Sequence, residues 1–357
     1  MHEAEEADAP RPGRIRRIAQ GLLLAALAAG LLVAGLELAY RRQWVDTYKP
    51  ELRAYNPPSA LGPYDPRETV VILGDSFTAG WGTYPDLLRE RLPYLRIVNA
   101  GVPGTGIAQA RLIARRRLAQ FPPRLCIYQL YAGNELFDLR YPSRGEALGP
   151  ARKAYWAVAN RLRFASFLNY RLGQVRHGAR LATRPETRPA PPAAAEAPFS
   201  VEKYDAREKL YLAAEPSLLE DQVLVRGERA HDYGRLMGEL RELHALCRAR
   251  GSRLALLVIP HACQVHPAYL DRMRQLGARF EQPDRMPELE YPFLSGLRAA
   301  FEGEADVEII DALPDLQQAE ARGETVYFQN DGHLNARGQR LVADRLAPLL
   351  EPLAGGK

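Results

Sequence analysis

A three-layer α/β/α domain on a parallel sheet of five strands is the fold class that this sequence predicts. Two observations predict it. Short apolar runs recur along the chain, and longer stretches with helical spacing lie between them. The runs are T-V-V-I-L at 69–73, L-R-I-V-N at 95–99, L-C-I-Y-Q-L at 125–130, L-A-L-L-V-I at 254–259 and V-E-I-I-D at 307–311. Helical patterns fall at Tyr84–Leu92, Ile107–Gln120, Glu228–Arg250 and Ala336–Leu350. Strands alternating with helices pair in parallel, and right-handed crossovers cover both faces of the sheet. The arrangement is flavodoxin-like.

The composition narrows the function classes. Of 357 residues, 46% are hydrophobic and 25% charged, the balance of a globular protein rather than a disordered or polytopic membrane chain. The net charge of +5 is local: Ala151 to Arg184 carries eight Lys and Arg and no acid, so the remainder is slightly acidic. A general nucleic-acid binder spreads its positive charge over a domain face, so no nucleic-acid partner is expected. Cys126, Cys247 and Cys263 show no paired spacing, which argues against a disulfide scaffold or a zinc ribbon. Cys126 lies inside an apolar run and reads as core.

The chain is organised in four parts. Residues 1–17 form an N-terminal tail with Arg11, Arg14, Arg16 and Arg17. From Ile18 to Leu36 no residue is charged, a length that spans a bilayer core of about 30 Å. The apolar run passes well beyond the small residues near Ala26 and Ala28, which favours an uncleaved anchor at 18–39 over a cleaved signal peptide. Its basic flank favours a cytoplasmic N-terminus and an extracytoplasmic domain, although Arg41 and Arg42 weaken the asymmetry. Residues 40–66 hold five prolines from Pro50 to Pro66 and read as an extended stalk. The α/β domain then runs over 67–353, with an insertion at about 139–227 where the strand–helix alternation stops. Within it, Tyr155, Val158, Leu162, Ala165, Leu168, Leu172 and Val175 recur at helical steps. That stripe either packs as an extra core helix with its arginines solvated, the favoured reading, or lies in a lipid interface. Pro185–Pro198 reads as a polyproline-like linker.

Four blocks at strand ends carry chemistry. The first is V-I-L-G-D-S-F-T-A-G at 71–80, which places Ser76 at the carboxyl end of a strand and just before a helical stretch. Position 78 is Thr, so this is not the G-x-S-x-G elbow. The second, V-N-A-G-V-P-G-T-G at 98–106, offers glycines whose N–H groups can approach an oxyanion. The third, Y-Q-L-Y-A-G-N-E-L-F-D at 128–138, can aim the Asn134 amide at the same place. The last, Y-F-Q-N-D-G-H-L-N-A-R-G at 327–338, offers His333 as a general base and Asp331 to orient it. Taken singly, each block is an ordinary turn. Together they place a nucleophile, oxyanion donors and a base–acid pair along one sheet edge.

In these four blocks the sequence resembles the SGNH (GDSL) hydrolase superfamily, over roughly residues 67–138 and 253–351. The resemblance implies an SGNH-type fold with Ser76 as nucleophile, His333 as base and Asp331 as its partner. It implies an oxyanion hole from the Ser76 and Gly104 N–H groups and the Asn134 amide, with Gly101 the weaker candidate. It implies a serine esterase acting through an acyl-enzyme, without metal or organic cofactor. Its substrate would be an ester-bearing small molecule, a lipid or an acylated glycan. Two departures stand out: Glu135 follows Asn134 where the family has Asp, and only Gly332 separates Asp331 from His333. The shortened spacing looks like that of membrane-anchored, cell-envelope members. Rival expectations are an O-acyltransferase acting on an envelope glycan and a catalytically silent scaffold.

Two further groups were weighed. His261, Cys263 and His266 include zinc-ligating types but lack a signalled fourth ligand, so they read as a loop at the crevice rim. Asp311, after the fifth strand, reads as a turn cap rather than the triad acid.

Overall fold

The computed structural model describes residues 12–61, 65–142, 148–176 and 197–354. Five strands form one sheet: β1 Thr69–Leu73, β2 Arg96–Asn99, β3 Leu125–Tyr131, β4 Arg253–Ile259 and β5 Val307–Asp311. All pair in parallel, in the order β2-β1-β3-β4-β5. Every residue of β1 and β3 is buried, because helices cover both faces, and their sequences are accordingly continuous apolar runs. Helices Tyr84–Arg91 and Ala336–Leu350 pack together against one face. Helices Ile107–Gln120 and Gly227–Arg248 pack together against the other. The strand order reverses at β1 and β3, so the crevice beyond their carboxyl ends is the switch point of the sheet.

The N-terminal helix Pro12–Arg42 includes, from Ala19, a stretch long and apolar enough to cross a membrane. Leu22, Leu23, Leu24, Leu27, Leu31 and Leu32 are exposed along it. Its last turns are not. Glu37 accepts the N–H groups of Arg163 at 3.0 Å and Phe164 at 2.8 Å, capping helix Arg163–Arg176. The Tyr40 hydroxyl meets that of Tyr48 at 2.8 Å, and both rings pack against Phe167.

The expected stalk therefore needs correction. Residues 49–55 form a short helix with Glu51, Leu52 and Tyr55 buried. Asn56 then binds both the N–H and the C=O of Asn99 in β2. The prolines do exclude a long helix, but aromatic area at Tyr40, Tyr48 and Tyr55 draws the segment onto the domain.

The insertion contributes helices Pro150–Ala159, Arg163–Arg176, Ala206–Ala214 and Leu218–Val223 among the described residues. The expected continuous helix from Tyr155 to Val175 is two helices. Asn160 ends the first, its amide pairing with both backbone groups of Tyr141 at 2.9 and 2.8 Å. Of the stripe expected to pack as core, Tyr155 does pack on the cluster around Trp156, but the second half turns outward, with Leu168 and Leu172 each 46% exposed and Val175 79% exposed. Phe164, Phe167 and Tyr170 turn inward, since aromatic rings bury more area than the aliphatic stripe. Arg171 is not solvated either; it pairs with Glu51 between the rings of Tyr48, Phe167 and Tyr170. The linker expected at Pro185–Pro198 lies outside the described residues except for Ala197 and Pro198.

Candidate active site

Gly74 leaves β1 between Thr78 and Gln129: a Cβ there would lie 2.2 Å from Thr78 Oγ1 and 2.6 Å from Gln129 Oε1. A side chain does not fit, so the first block needs glycine at that point. Asp75 then folds the chain into a tight turn, its carboxylate accepting the Phe77 N–H at 2.9 Å and its carbonyl the Ala79 N–H at 2.9 Å. Ser76 rides on this turn. The next helix starts only at Tyr84, so the helix N-terminus expected behind Ser76 is not there.

The second and third blocks are tied to the first by buried polar contacts. Asn99 Nδ2 donates to the Thr78 carbonyl at 2.9 Å, and its Oδ1 accepts the Gly101 N–H at 3.0 Å. Gly101 is a packing glycine, since a Cβ would lie 2.8 Å from the Ala79 nitrogen. Gly104 adopts φ +70°, where glycine is favoured. Glu135, one of the two departures, is buried and accepts the Ile107 N–H at 2.9 Å and the Tyr128 hydroxyl at 2.8 Å. Its extra methylene lets it reach across to helix Ile107–Gln120. Burial pushes its carboxyl up to about 8. Asn134 stands at the N-cap position of helix Glu135–Leu139, yet its side chain makes no cap bond, and the residue lines the cleft.

The last block is pinned by a bridge between Tyr327 and Leu334 and by the Phe328 N–H donating to the His333 carbonyl at 3.0 Å. Between those points Asp331, Gly332 and His333 project over β1. His333 Nε2 and Ser76 Oγ are 2.7 Å apart. His333 Nδ1 bonds Asp331 Oδ1, which also accepts the His333 N–H at 3.0 Å. The one-residue spacing therefore still closes the hydrogen-bonded chain, through an Asx-type turn. Burial alone would depress the imidazole, but the hydrogen bond and charge of Asp331 carry His333 net above the ordinary histidine value. Asp331, opposed by burial but bonded to His333, lies below the usual carboxylate range.

Ser76, Asn134, Asp331 and His333 line one cleft. Gly104 does not open onto it, because the Arg207 guanidinium sits 2.9 Å from where a Gly104 Cβ would be. Such an arrangement has the parts for nucleophilic acyl transfer: a hydroxyl bonded to an imidazole, an orienting carboxylate and an asparagine lining the same cleft.

The far wall was not foreseen. Arg207, Glu208, Tyr211, Leu212, Leu218 and Leu219 come from the insertion. Asp205 caps helix Ala206–Ala214 by accepting the Arg207 and Glu208 N–H groups, and its own N–H donates to the Asn330 carbonyl at 3.0 Å. The D-A-R-E run before Leu210 was the available signal, an N-cap followed three residues later by Glu.

His261 and His266 accept backbone N–H groups as caps of the helices that follow them, and Cys263 is buried. Asp311 caps its own turn, accepting the Leu313 N–H at 3.1 Å. Cys126 is fully buried in β3.

A family model described as the SGNH hydrolase-like domain of the acetyltransferase AlgX matches residues 218–356. That stretch contains β4, β5 and the His333 block but not Ser76. No curated protein sequence matches the chain. Among solved structures, TesA is 15% identical, covering 80% of this chain and 99% of its own, with a TM-score of 0.37. A GDSL-like lipase from Bacteroides thetaiotaomicron is 12% identical, covering 88% and 97%, with a TM-score of 0.40. The acetyl xylan esterase AlAXEase is 11% identical, covering 79% and 98%, with a TM-score of 0.41.

Proposed function

We propose that the chain, whose parallel α/β sheet is matched over residues 218–356 by an SGNH hydrolase-like domain, is a serine esterase acting on an ester-linked acyl group. The observation that carries this reading is the hydrogen-bonded chain from Ser76 through His333 to Asp331, inside a cleft. His333 takes the Ser76 proton as Oγ attacks the acyl carbonyl. The oxyanion is received by the Ser76 N–H and the Asn134 amide, with Gly104 joining once Arg207 moves aside. His333 then protonates the leaving alcohol and an acyl-enzyme forms. Water, deprotonated by the same imidazole, releases the acid.

A second reading has its own support. The match of residues 218–356 to an acetyltransferase domain favours transfer of the acyl group to a glycan hydroxyl in place of water. Both readings share the acyl-enzyme, so one experiment serves both. A labelled fluorophosphonate should mark Ser76, and an acetyl ester offered with polyol acceptors should partition between free acid and acylated polyol. A silent scaffold would not be labelled. We further propose that the helix beginning at Pro12 anchors the chain, with the domain outside the cytoplasm.

A further inference from the structure

The insertion places a second carboxylate beside the His333 turn. Glu208 Oε1 lies 3.1 Å from His261 Nε2, and Glu208 Oε2 accepts the Tyr204 hydroxyl at 3.0 Å. His261 is buried, and its Nδ1 accepts the Cys263 N–H at 3.1 Å. Its hydrogen therefore sits on Nε2 and is donated to Glu208. A carboxylate held by two fixed donors does not swing. It faces the cleft, and Gly332 is packed so closely on it that a Cβ there would lie 2.5 Å from Glu208 Oε2. That contact gives a reason for the glycine between Asp331 and His333.

We infer that Glu208, held by His261 and Tyr204, is a positioning residue that props the Asp331–Gly332–His333 turn and stabilises the imidazolium form of His333. The inference rests on the serine esterase reading, since it assigns Glu208 a part in that reaction. It also gives the H-A-C-Q-V-H run a use that needs no metal. The negative groups that act on His333 are Asp331, Asp75 and Glu208. Asp205 and Arg207 line the same cleft. Tyr131 and Cys263 feel the Glu208 charge as well, and burial pushes both far up, out of the working range. The imidazolium appears only as the proton leaves Ser76, so a nearby fixed carboxylate favours the transition state over the resting enzyme.

The test uses the full-length protein and a soluble aryl acetate. Glu208→Gln keeps the shape and removes the charge. It should lower the plateau rate on the order of tenfold and move the acid limb of the pH–rate profile to lower pH. Glu208→Asp should keep that limb in place. His261→Leu, which removes a donor and leaves the charge, should lower the rate without moving the limb as far. Glu208→Gln/His261→Leu should be little worse than Glu208→Gln alone, because both act through one carboxylate. A Glu208→Gln enzyme with an unmoved limb, or with a wild-type rate, overturns the inference. If instead wild-type protein takes no fluorophosphonate at Ser76, the esterase reading has failed, and the two failures are told apart. Should Glu208→Gln not fold, the His261→Leu enzyme carries the test: a wild-type rate in it overturns the inference.

Discussion

The two walls of the cleft are built on opposite principles. One is the carboxyl edge of the sheet, where Ser76 and Asn134 follow β1 and β3, and His333 arrives on a turn pinned by Tyr327 and Leu334. Its groups are fixed by buried backbone contacts such as those of Asn99 and Glu135. The other is the insertion, whose helix Ala206–Ala214 leans on the site through Asp205 and Asn330 and presents long side chains. The first wall holds atoms at reacting distance. The second sets what fits against them. Chemistry should therefore fail when the sheet edge is altered, and selectivity should change when the insertion is altered.

The largest effects belong to the edge. Ser76→Ala should abolish turnover of a verified ester without unfolding the domain, and His333→Ala should be nearly as damaging. The double variant should be little worse, because the two act as a unit. Asp331→Asn should approach the roughly 10⁴-fold loss of a neutralised triad carboxylate, while Asp311→Asn, a turn cap, should leave the rate alone. The reverse ranking would move the acid to Asp311. Asn134→Ala should cost about 10²–10³-fold in kcat as one lost oxyanion donor. Wild-type kcat in Ser76→Ala would break the comparison outright.

Acidity gives the next effects, and their signs differ. On the esterase reading activity needs neutral His333, whose pKa is held above the ordinary value, so rates should fall as pH drops through that raised value. Its contribution to stability runs the other way: fully present below the unfolded histidine pKa, it is lost as pH rises through the folded one. Glu135 adds an opposite-edge case. Its carboxyl is raised to about 8, so between the ordinary glutamate pKa and about 8 the folded state binds more protons than the unfolded. Stability should decline across that window. Glu135→Gln keeps an acceptor for Ile107 and Tyr128 and removes the titration. Thermal melts of that variant should depend less on pH over the same range; an unchanged slope would show that Glu135 is not the source.

What could be read in advance follows the same division. Strand positions and the helices between them were legible because full burial writes continuous apolar runs, and the first three blocks sit where those runs end, the fourth just before the last helix. That Ser76, Asn134, Asp331 and His333 meet at one cleft was legible as well. The Arg207 cover on Gly104 was not, since it depends on a helix about a hundred residues away in sequence. The insertion has no strand period to fix it, and two apolar stripes compete in one helix. Spacing selects Leu168, Leu172 and Val175; packing selects Phe164, Phe167 and Tyr170. The short helix at 49–55 was hidden for a related reason, because prolines mark an end more clearly than they mark a burial.

Selectivity should respond to the insertion wall by smaller amounts. Leu212 and Leu219 are buried against the cleft. Trimming either to alanine enlarges the space for an acyl chain, and one methylene in a pocket is worth about 10-fold or more in discrimination. Leu219→Ala should raise kcat/KM for butyryl relative to acetyl aryl esters, with acetyl turnover itself near wild type. Loss on every ester alike would mean that Leu219 supports the sheet edge rather than shaping the pocket.

The smallest effect on turnover should come from the outward stripe, which touches neither wall. Leu168, Leu172 and Val175 lie on a helix whose first N–H groups are capped by Glu37, one residue past the uncharged run that ends at Leu36. If that run spans a bilayer, the helix starts at the bilayer boundary. Trp44, 67% exposed just after it, is the type of residue that settles at a lipid interface. Arg171 is engaged inward with Glu51, so the outward face of this helix is aliphatic at Leu168, Leu172 and Val175. Lipid contact then depends on apolar area more than on anionic head groups. A fluorophore at Leu172→Cys in full-length protein should be quenched by lipids brominated on their acyl chains, in neutral and anionic vesicles alike. The three native cysteines are buried and should not compete for the label. A control label at Glu302→Cys, on the exposed turn before β5, should be quenched much less. Leu168→Ser/Leu172→Ser/Val175→Ser should leave soluble-ester turnover unchanged. Equal quenching at positions 172 and 302 would place the stripe in water, and the domain would then stand clear of the membrane on its helix.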